Sequence, residues 1–187
     1  MYWCIHLFIS DALKSFSTSQ VNTSLWLSAA AYCGSSSYRS HVFQGPTAGF
    51  VVTSIIEDVS TDTEGKSSKD TTISYLSIGN MLCCIFFPVG FIGYLPSDKS
   101  IYVVFRGSSS IRNWITNLDA YKTPYTSYPA CNCEVHKGFY SAEQIVIGGI
   151  ISEVKRLKSI SSLSTYSVKT TGHSLGAALA QLTAMGK

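Results

Sequence analysis

Residues 166–185 read YSVKTTGHSLGAALAQLTAM, and this stretch decides the fold. β-Prone residues from Tyr166 to Thr171 lead into the pentad Gly172-His173-Ser174-Leu175-Gly176, which has the form G-x-S-x-G. Small and apolar residues from Ala177 to Ala180 follow as a predicted helix. A side chain at either flanking glycine of so sharp a strand-to-helix turn would collide with neighbouring backbone. The stretch therefore predicts a nucleophile elbow that exposes the Ser174 hydroxyl at the edge of a sheet.

The segments before this stretch predict the rest of a layered α/β structure. Val51–Ile56 and Ile101–Phe105 are β-branched and aromatic, and the second is apolar on both faces, as a central strand covered on each side would be. Gly138–Lys158 has apolar residues at helical spacing and precedes the strand of the elbow, which gives the βαβ pattern of a largely parallel sheet. Thr23–Gly34 predicts a short buried helix with hydroxyl caps and a glycine stop.

A second polar segment follows the predicted central strand. Residues 105–114 read FRGSSSIRNW, and a loop that leaves such a strand lies at the carboxyl edge of the sheet, as does Ser174. An apolar stripe at i, i+3, i+4 and i+7 follows on a predicted short helix, formed by Ile111, Trp114, Ile115 and Leu118. The stripe has two interpretations, a core helix or a mobile cover whose apolar underside shields an ester-binding groove.

Composition excludes several classes of protein. The chain has 187 residues, 45% of them hydrophobic, which excludes intrinsic disorder. A net charge of +3 without a basic cluster does not indicate a nucleic-acid surface. The apolar run Met81–Leu95 is interrupted by Pro88, Gly90 and Gly93, so no transmembrane span is predicted.

The six cysteines lack the spacing of a metal finger, so no metal site is predicted. A compartment that permits disulfides is the better interpretation. Cys131 and Cys133 either form a local bridge or pair elsewhere. The start of the chain, Met1–Ser10, has a short apolar stretch without a preceding basic residue and is at best a defective signal peptide.

Three motifs resemble one family. The strand with FRGSSSIRNW, the motif Val135-His136-Lys137-Gly138-Phe139 and the GHSLG pentad occur in order and at matching separations. Together they resemble the filamentous-fungal triacylglycerol lipases, the class 3 lipases of the α/β-hydrolase fold. The resemblance implies the N-terminal part of a mostly parallel sheet with flanking helices. It also implies a secreted serine ester hydrolase that acts on lipid at an oil–water interface and needs no cofactor, metal or protein partner.

The resemblance also implies roles for single residues. Ser174 matches the nucleophile, while Ser108 and the amide of Leu175 match the two halves of the oxyanion hole. Residues 111–118 match the lid, with Trp114 on its apolar face. His136 matches a non-catalytic position, and the side chain of His173 is expected to point away from Ser174, so neither is predicted to be the catalytic base.

The resemblance breaks in two places. An α/β-hydrolase has its triad in the order Ser, Asp or Glu, His, but the residues after Ser174, LGAALAQLTAMGK, contain no acid and no histidine. About 25 residues, at about 65–89, look inserted, because joining Glu64 to Gly90 restores a family-like strand. We expect a poorly determined segment at 1–18 and a partial lipase-like domain at 19–187, truncated after the elbow.

One hypothesis explains both features. The insertion begins with Gly65-Lys66 and the chain ends with Gly186-Lys187, and Gly-Lys can be encoded by a sequence containing an intron donor, so both can be retained introns. The chain as printed is then expected to be inactive, because a serine hydroxyl without a base is a poor nucleophile. The alternatives are a feruloyl-type esterase on the same scaffold and a non-catalytic, lipid-associating fragment.

Overall fold

The computed structural model describes residues 17–56, 72–73, 89–107 and 122–186. The predicted segment 1–18 and the predicted insertion at 65–89 therefore lie almost entirely outside the described residues. The described helices are α1 (Thr18–Ala30), α2 (Lys137–Lys158) and α3 (Leu175–Met185). The strands are β1 (Val51–Ile56), β2 (Thr72–Ile73), β3 (Gly90–Leu95), β4 (Ser100–Phe105), β5 (Lys122–Pro124), β6 (Glu134–His136) and β7 (Ser167–Gly172).

Five of these strands form one sheet in the order β2-β1-β3-β4-β7. β4 and β7 run parallel with Phe105 opposite Gly172, and α2 lies between them in the chain, which confirms the predicted βαβ unit. The α/β class is confirmed, but the sheet is mixed in the described residues, since β3 is antiparallel to both β1 and β4. The short turn at Pro96–Asp98 explains the β3–β4 pairing, because so short a connection can join only antiparallel strands.

β4 is buried along its whole length, as its apolar sequence predicts. Ile101, Val103 and Phe105 face a core that includes residues of α2 and α3, whereas Tyr102 and Val104 face a second core that includes Leu27 of α1. Because side chains alternate across a strand, each face of β4 supplies one core. β4 therefore holds the helical layers on both sides of the sheet.

Helix α1 begins earlier than predicted. Ser17, not a residue near Thr23, is its N-cap, and a capping box joins it to Gln20: Ser17 Oγ accepts from the Gln20 amide and Gln20 Oε1 accepts from the Ser17 amide. The reciprocal pair satisfies two amides that a helix start leaves unbonded. The helix is also less buried than predicted, because Val21, Leu25 and Trp26 are exposed.

Helix α2 begins one residue before its predicted start and ends at the predicted Lys158. His136 caps it, with Nδ1 accepting a hydrogen bond from the Phe139 amide at 3.3 Å. The ring of His136 also lies 4.4 Å from that of Phe139, centroid to centroid. The Val135–Phe139 motif therefore forms the start of the long helix, and His136 serves there as the N-cap.

A short disulfide lies just before α2. Cys131 and Cys133 are bonded to each other, which decides between the two interpretations of this pair.

In residues 17–56, 89–107 and 122–186, no helix has both the length and the apolar character needed to cross a bilayer.

Candidate active site

The turn between β7 and α3 places Ser174 at the carboxyl edge of the sheet. Ser174 has φ 57° and ψ −123°, and its side chain is exposed. The Gly176 amide donates to the His173 carbonyl and the Ala177 amide to the Ser174 carbonyl, both at 3.0 Å, so the turn closes directly into the helix. A non-glycine residue with this backbone is strained and persists only where its surroundings hold it. This is the strand–turn–helix geometry of a nucleophile elbow.

Close backbone packing explains why the pentad has glycine at both ends. A Cβ on Gly172 would lie 2.4 Å from the carbonyl oxygen of Gly176, and one on Gly176 would lie 2.4 Å from the carbonyl oxygen of Phe105. Both distances are well below van der Waals contact. The two glycines therefore allow α3 to start against the end of β4.

The end of β4 contacts the elbow directly. A Cβ on Gly107 would lie 2.4 Å from the His173 carbonyl oxygen and 3.2 Å from the Ser174 Cβ. Gly107 is the last described residue before Ser108, so the backbone entering the predicted oxyanion loop lies against the predicted nucleophile. Ser108 itself and the predicted lid residues Ile111, Trp114, Ile115 and Leu118 lie outside the described residues.

Leu175, the other predicted oxyanion donor, is the first residue of α3. The first amides of a helix have no carbonyl partner within it, and the helix dipole adds partial positive charge at that end. The amides that close the turn are those of residues 176–178, and in the described structure Leu175 is not among them. A developing negative charge next to Ser174 would therefore meet amide donors.

His173 has a partner that sequence reasoning missed. Its Nδ1 lies 2.9 Å from the hydroxyl of Tyr32, which follows α1, and the two rings meet edge to face at 6.0 Å. The described contact of the His173 ring is thus with Tyr32, and that His173 is not the base stays a prediction. Nothing in the pattern around Tyr32 indicated this role, because the contact joins residues 141 positions apart.

A polar cluster lies along α2 and the far end of α3. Glu143 is fully buried, and its Oε2 accepts a hydrogen bond from Gln144. Burial raises the pKa of Glu143. Burial, with the nearby charge of Glu143 and Tyr140, raises the pKa of Tyr125 to about 12, and the Tyr125 hydroxyl donates to the Leu182 carbonyl. Among the described residues, Glu143 Oε1 and Thr183 Oγ1 have no hydrogen-bond partner.

A second charged group lies at the opposite end of the strands from Ser174. Asp98 accepts from Lys169 at 2.8 Å and from the Tyr102 hydroxyl. Burial raises the pKa of Asp98, but these hydrogen bonds and the Lys169 charge outweigh burial and hold it below its ordinary value. The group ties β4 to β7 and does not reach the elbow. In the part of the chain that the structure describes, no three His, Cys, Asp or Glu side chains are grouped to hold a metal ion.

Known proteins resemble this chain in sequence and in fold. Residues 102–186 match the family model described as Lipase (class 3). The chain is 44% identical over 89 residues to a lipase of Rhizomucor miehei, a match that covers 48% of this chain and 23% of that protein. It is 35% identical over 97 residues to a secreted alkaline triacylglycerol lipase of Penicillium cyclopium, covering 50% of this chain and 33% of that one.

Structural similarity extends further along the chain. The mono- and diacylglycerol lipase from Aspergillus oryzae superposes with a TM-score of 0.61 at 27% identity, over 91% of this chain and 56% of that chain. The chain therefore spans no more than a third of the two curated relatives and about half of the solved structure. Residues 102–186 thus match the class 3 lipase family, and the fold of the described residues is that of the α/β-hydrolase lipases.

Proposed function

We propose that this chain carries the nucleophile and the oxyanion-binding groups of a carboxylic ester hydrolase of the acylglycerol lipase type. The observation that carries the proposal is the strained, exposed Ser174, held between β7 and α3 against Gly107, which follows strand β4. Evolution retains such a backbone where strain serves a function, and a serine on an elbow is the usual case in this fold.

The proposed chemistry follows from this arrangement. Ser174 Oγ attacks the ester carbonyl carbon and passes its proton to a base, while the carbonyl oxygen becomes an oxyanion. The ester C–O bond then breaks as the base returns that proton to the leaving alcohol, and water hydrolyses the resulting acyl-enzyme to the free acid. The Leu175 amide would donate to the oxyanion from the start of α3. Ser108 would supply the second donor through its amide and hydroxyl, because Gly107 brings the preceding backbone next to Ser174. Loss of one such donor commonly costs ~3 kcal/mol of transition-state stabilisation.

Turnover needs a base and an acid as well. Residues 175–187 contain no Asp, Glu or His, so these 187 residues do not themselves supply the remaining triad members in the family order. We infer that this chain by itself turns esters over poorly and that full activity requires the acid and base that the family has after the elbow.

The proposed substrates are acylglycerols at an oil–water interface, outside the cell. The apolar stripe at 111–118 supports a cover for a lipid-binding groove, and the relatives include secreted tri-, di- and monoacylglycerol lipases. The Cys131–Cys133 disulfide agrees with an oxidising compartment.

A fluorophosphonate probe tests the proposed nucleophile. We expect saturable labelling of the folded 187-residue chain at Ser174, slow because of the missing base, and no labelling of Ser174→Ala. Peptide mapping should place the adduct on Ser174. A folded chain that is labelled no faster than free serine would contradict the proposal and support the non-catalytic alternative.

Substrate class needs a separate measurement. Hydrolysis of emulsified triacylglycerol is compared with that of a soluble feruloyl ester, with Ser174→Ala as the blank. A preference for the emulsion supports the acylglycerol proposal, because an aromatic soluble ester needs no interfacial cover. A preference for the feruloyl ester would favour the esterase alternative.

A further inference from the structure

We propose that Tyr32 is a positioning residue for Ser174, acting through His173. The proposal rests on the ester-hydrolase function above and adds to it an element far away in sequence: α1 and the turn after it hold the elbow and the end of β4 in register.

The Tyr32 hydroxyl lies where three segments meet. It is 2.9 Å from His173 Nδ1, and a Cβ on Gly107 would lie only 2.3 Å from it. The same imaginary Cβ would be 3.2 Å from the Ser174 Cβ. One hydroxyl group therefore contacts the residue before the predicted nucleophile and packs on the residue before the predicted oxyanion loop.

A second contact anchors α1 to the same strand end. Ser28 Oγ lies 3.0 Å from Thr171 Oγ1, and Ser28 is buried. Thr171 and His173 flank Gly172, so the two hydroxyl contacts of the N-terminal segment lie on either side of this glycine. The N-terminal segment therefore contacts the chain on both sides of the glycine that begins the elbow.

The N-terminal segment is itself firmly held. Leu27 is fully buried in the core that faces Tyr102 and Val104 of β4. The Tyr38 hydroxyl donates to the carbonyl of Ala31, next to Tyr32, and this bond is buried. Tyr32 itself is exposed, but the residues before it are held in this core.

The hydrogen bond also links the tautomer of the His173 ring to the Tyr32 hydroxyl. When the Tyr32 hydroxyl donates, Nδ1 accepts, and the neutral ring carries its proton on Nε2. The ring is then fixed in orientation beside the strained Ser174. Because a displacement of about 1 Å at a reacting group can cost ~10²-fold in rate, loss of this support should be visible in the reactivity of Ser174.

The test uses Tyr32→Phe in the full chain, which removes the hydroxyl and keeps the ring. Tyr140→Phe is the matched control, since that hydroxyl contacts Thr126 and Ser127, away from the elbow. We measure the rate of fluorophosphonate modification of Ser174, and the protonated ring nitrogen of His173 together with the Ser174 and Leu175 amide shifts by NMR. Tyr32→Phe should slow modification by about tenfold, release the His173 tautomer preference and shift both amides. Tyr140→Phe should change none of these.

A mutant cycle separates positioning from general stability. If Tyr32 acts through His173, Tyr32→Phe has no further effect on the rate in a His173→Ala background. Equal slowing in both backgrounds, or unchanged rate and spectra in Tyr32→Phe, would overturn the proposal. If Tyr32→Phe does not fold, His173→Ala alone must reproduce the slowing and the amide shifts, and failure to do so counts against it.

Failure of the Tyr32 proposal can be distinguished from failure of the proposed hydrolase function. If the unaltered chain is not labelled at Ser174, the hydrolase proposal fails. The NMR measurements then test the positioning role of Tyr32 on their own. Amide shifts at Ser174 and Leu175 in Tyr32→Phe but not in Tyr140→Phe then support the positioning role, and their absence overturns it.

Discussion

The backbone of Ser174, at φ 57° and ψ −123°, is a conformation that L-residues adopt at a cost and glycine adopts readily. The surrounding contacts hold it there: the hydrogen bonds into α3, the close approach of Gly107, and the Tyr32–His173 pair. At the scale of a residue, the site is therefore a compromise between stability and an exposed hydroxyl.

This strain predicts a gain in stability when the serine is replaced by glycine. Ser174→Gly should raise the free energy of unfolding by about 1 kcal/mol, because glycine relieves the strain at this φ. Ser174→Ala keeps the Cβ and should show no comparable gain, although both variants lose the probe-reactive hydroxyl. Urea denaturation of the three proteins measures the difference. Equal stabilities of the glycine and alanine variants would show that the turn carries no such strain.

At the scale of an element, the helices owe their limits to specific side chains. Helix α1 starts at Thr18 because Ser17 and Gln20 satisfy each other's amides, and α2 starts at Lys137 because His136 accepts from the Phe139 amide. These caps explain why the predicted start of α1 was five residues late. Apolar periodicity locates the middle of a helix, whereas its first residue depends on a side chain with an oxygen or nitrogen in reach of the first amides.

The cap of α1 gives a direct prediction. Ser17→Ala should lower the free energy of unfolding by about 1 kcal/mol, since the Gln20 amide loses its side-chain acceptor. Ser19→Ala, at the exposed second position of the same helix, should have little effect or stabilise slightly, because alanine is the better helix former. Thermal unfolding followed by circular dichroism compares the two, and equal losses would contradict the capping role.

Helix α2 gives a pH dependence. Burial raises the pKa of Glu143, so its folded-state pKa lies above the unfolded value and the protonated form is favoured in the folded protein. Its contribution to stability is complete below the unfolded pKa and is lost as the pH rises through the folded pKa. Glu143→Gln, which can still accept from Gln144, should therefore be more stable than the parent chain at neutral pH.

The measurement is urea denaturation near pH 4 and at pH 7. The stability difference between Glu143→Gln and the parent should grow toward neutral pH. The control Glu134→Gln, at an exposed position, should change the stability of the parent chain equally at both pH values. A Glu143→Gln variant whose advantage is larger at the acid end would refute the assignment.

At the scale of the whole molecule, β4 separates two cores and belongs to both. Because its two faces are buried by different helices, removal of a core side chain on one side should weaken the whole sheet rather than one layer.

Two leucines on α1 test this. Leu27→Ala should cost about 2–5 kcal/mol, because the side chain is fully buried, while Leu25→Ala, 64% exposed, should cost almost nothing in packing. The loss at Leu27 should appear as one cooperative transition in both far-ultraviolet and fluorescence signals. Two separate transitions would show that the cores unfold independently.

Much of this architecture follows from patterns in the chain. The central strand, the long helix, the elbow and the βαβ unit were predicted, because each has a strong local signature: an apolar run, a helical period or a glycine-flanked serine. The antiparallel pairing of β3, the burial of Glu143 and the contact between Tyr32 and His173 were not. Each of these depends on which distant segments meet in space, and no local pattern reports that. The nucleophile role of Ser174, the oxyanion roles of Ser108 and Leu175, and the lid role of residues 111–118 stay predictions.

The burial of β4 on both faces has a consequence for tolerance to mutation. A strand at a surface accepts changes at every second position, because alternate side chains project into solvent. In β4 no position from Ser100 to Phe105 is exposed, and the strand leads straight into Gly107. A saturation scan should therefore find seven or eight consecutive positions that accept few substitutions. In most strands, tolerant and intolerant positions would alternate instead.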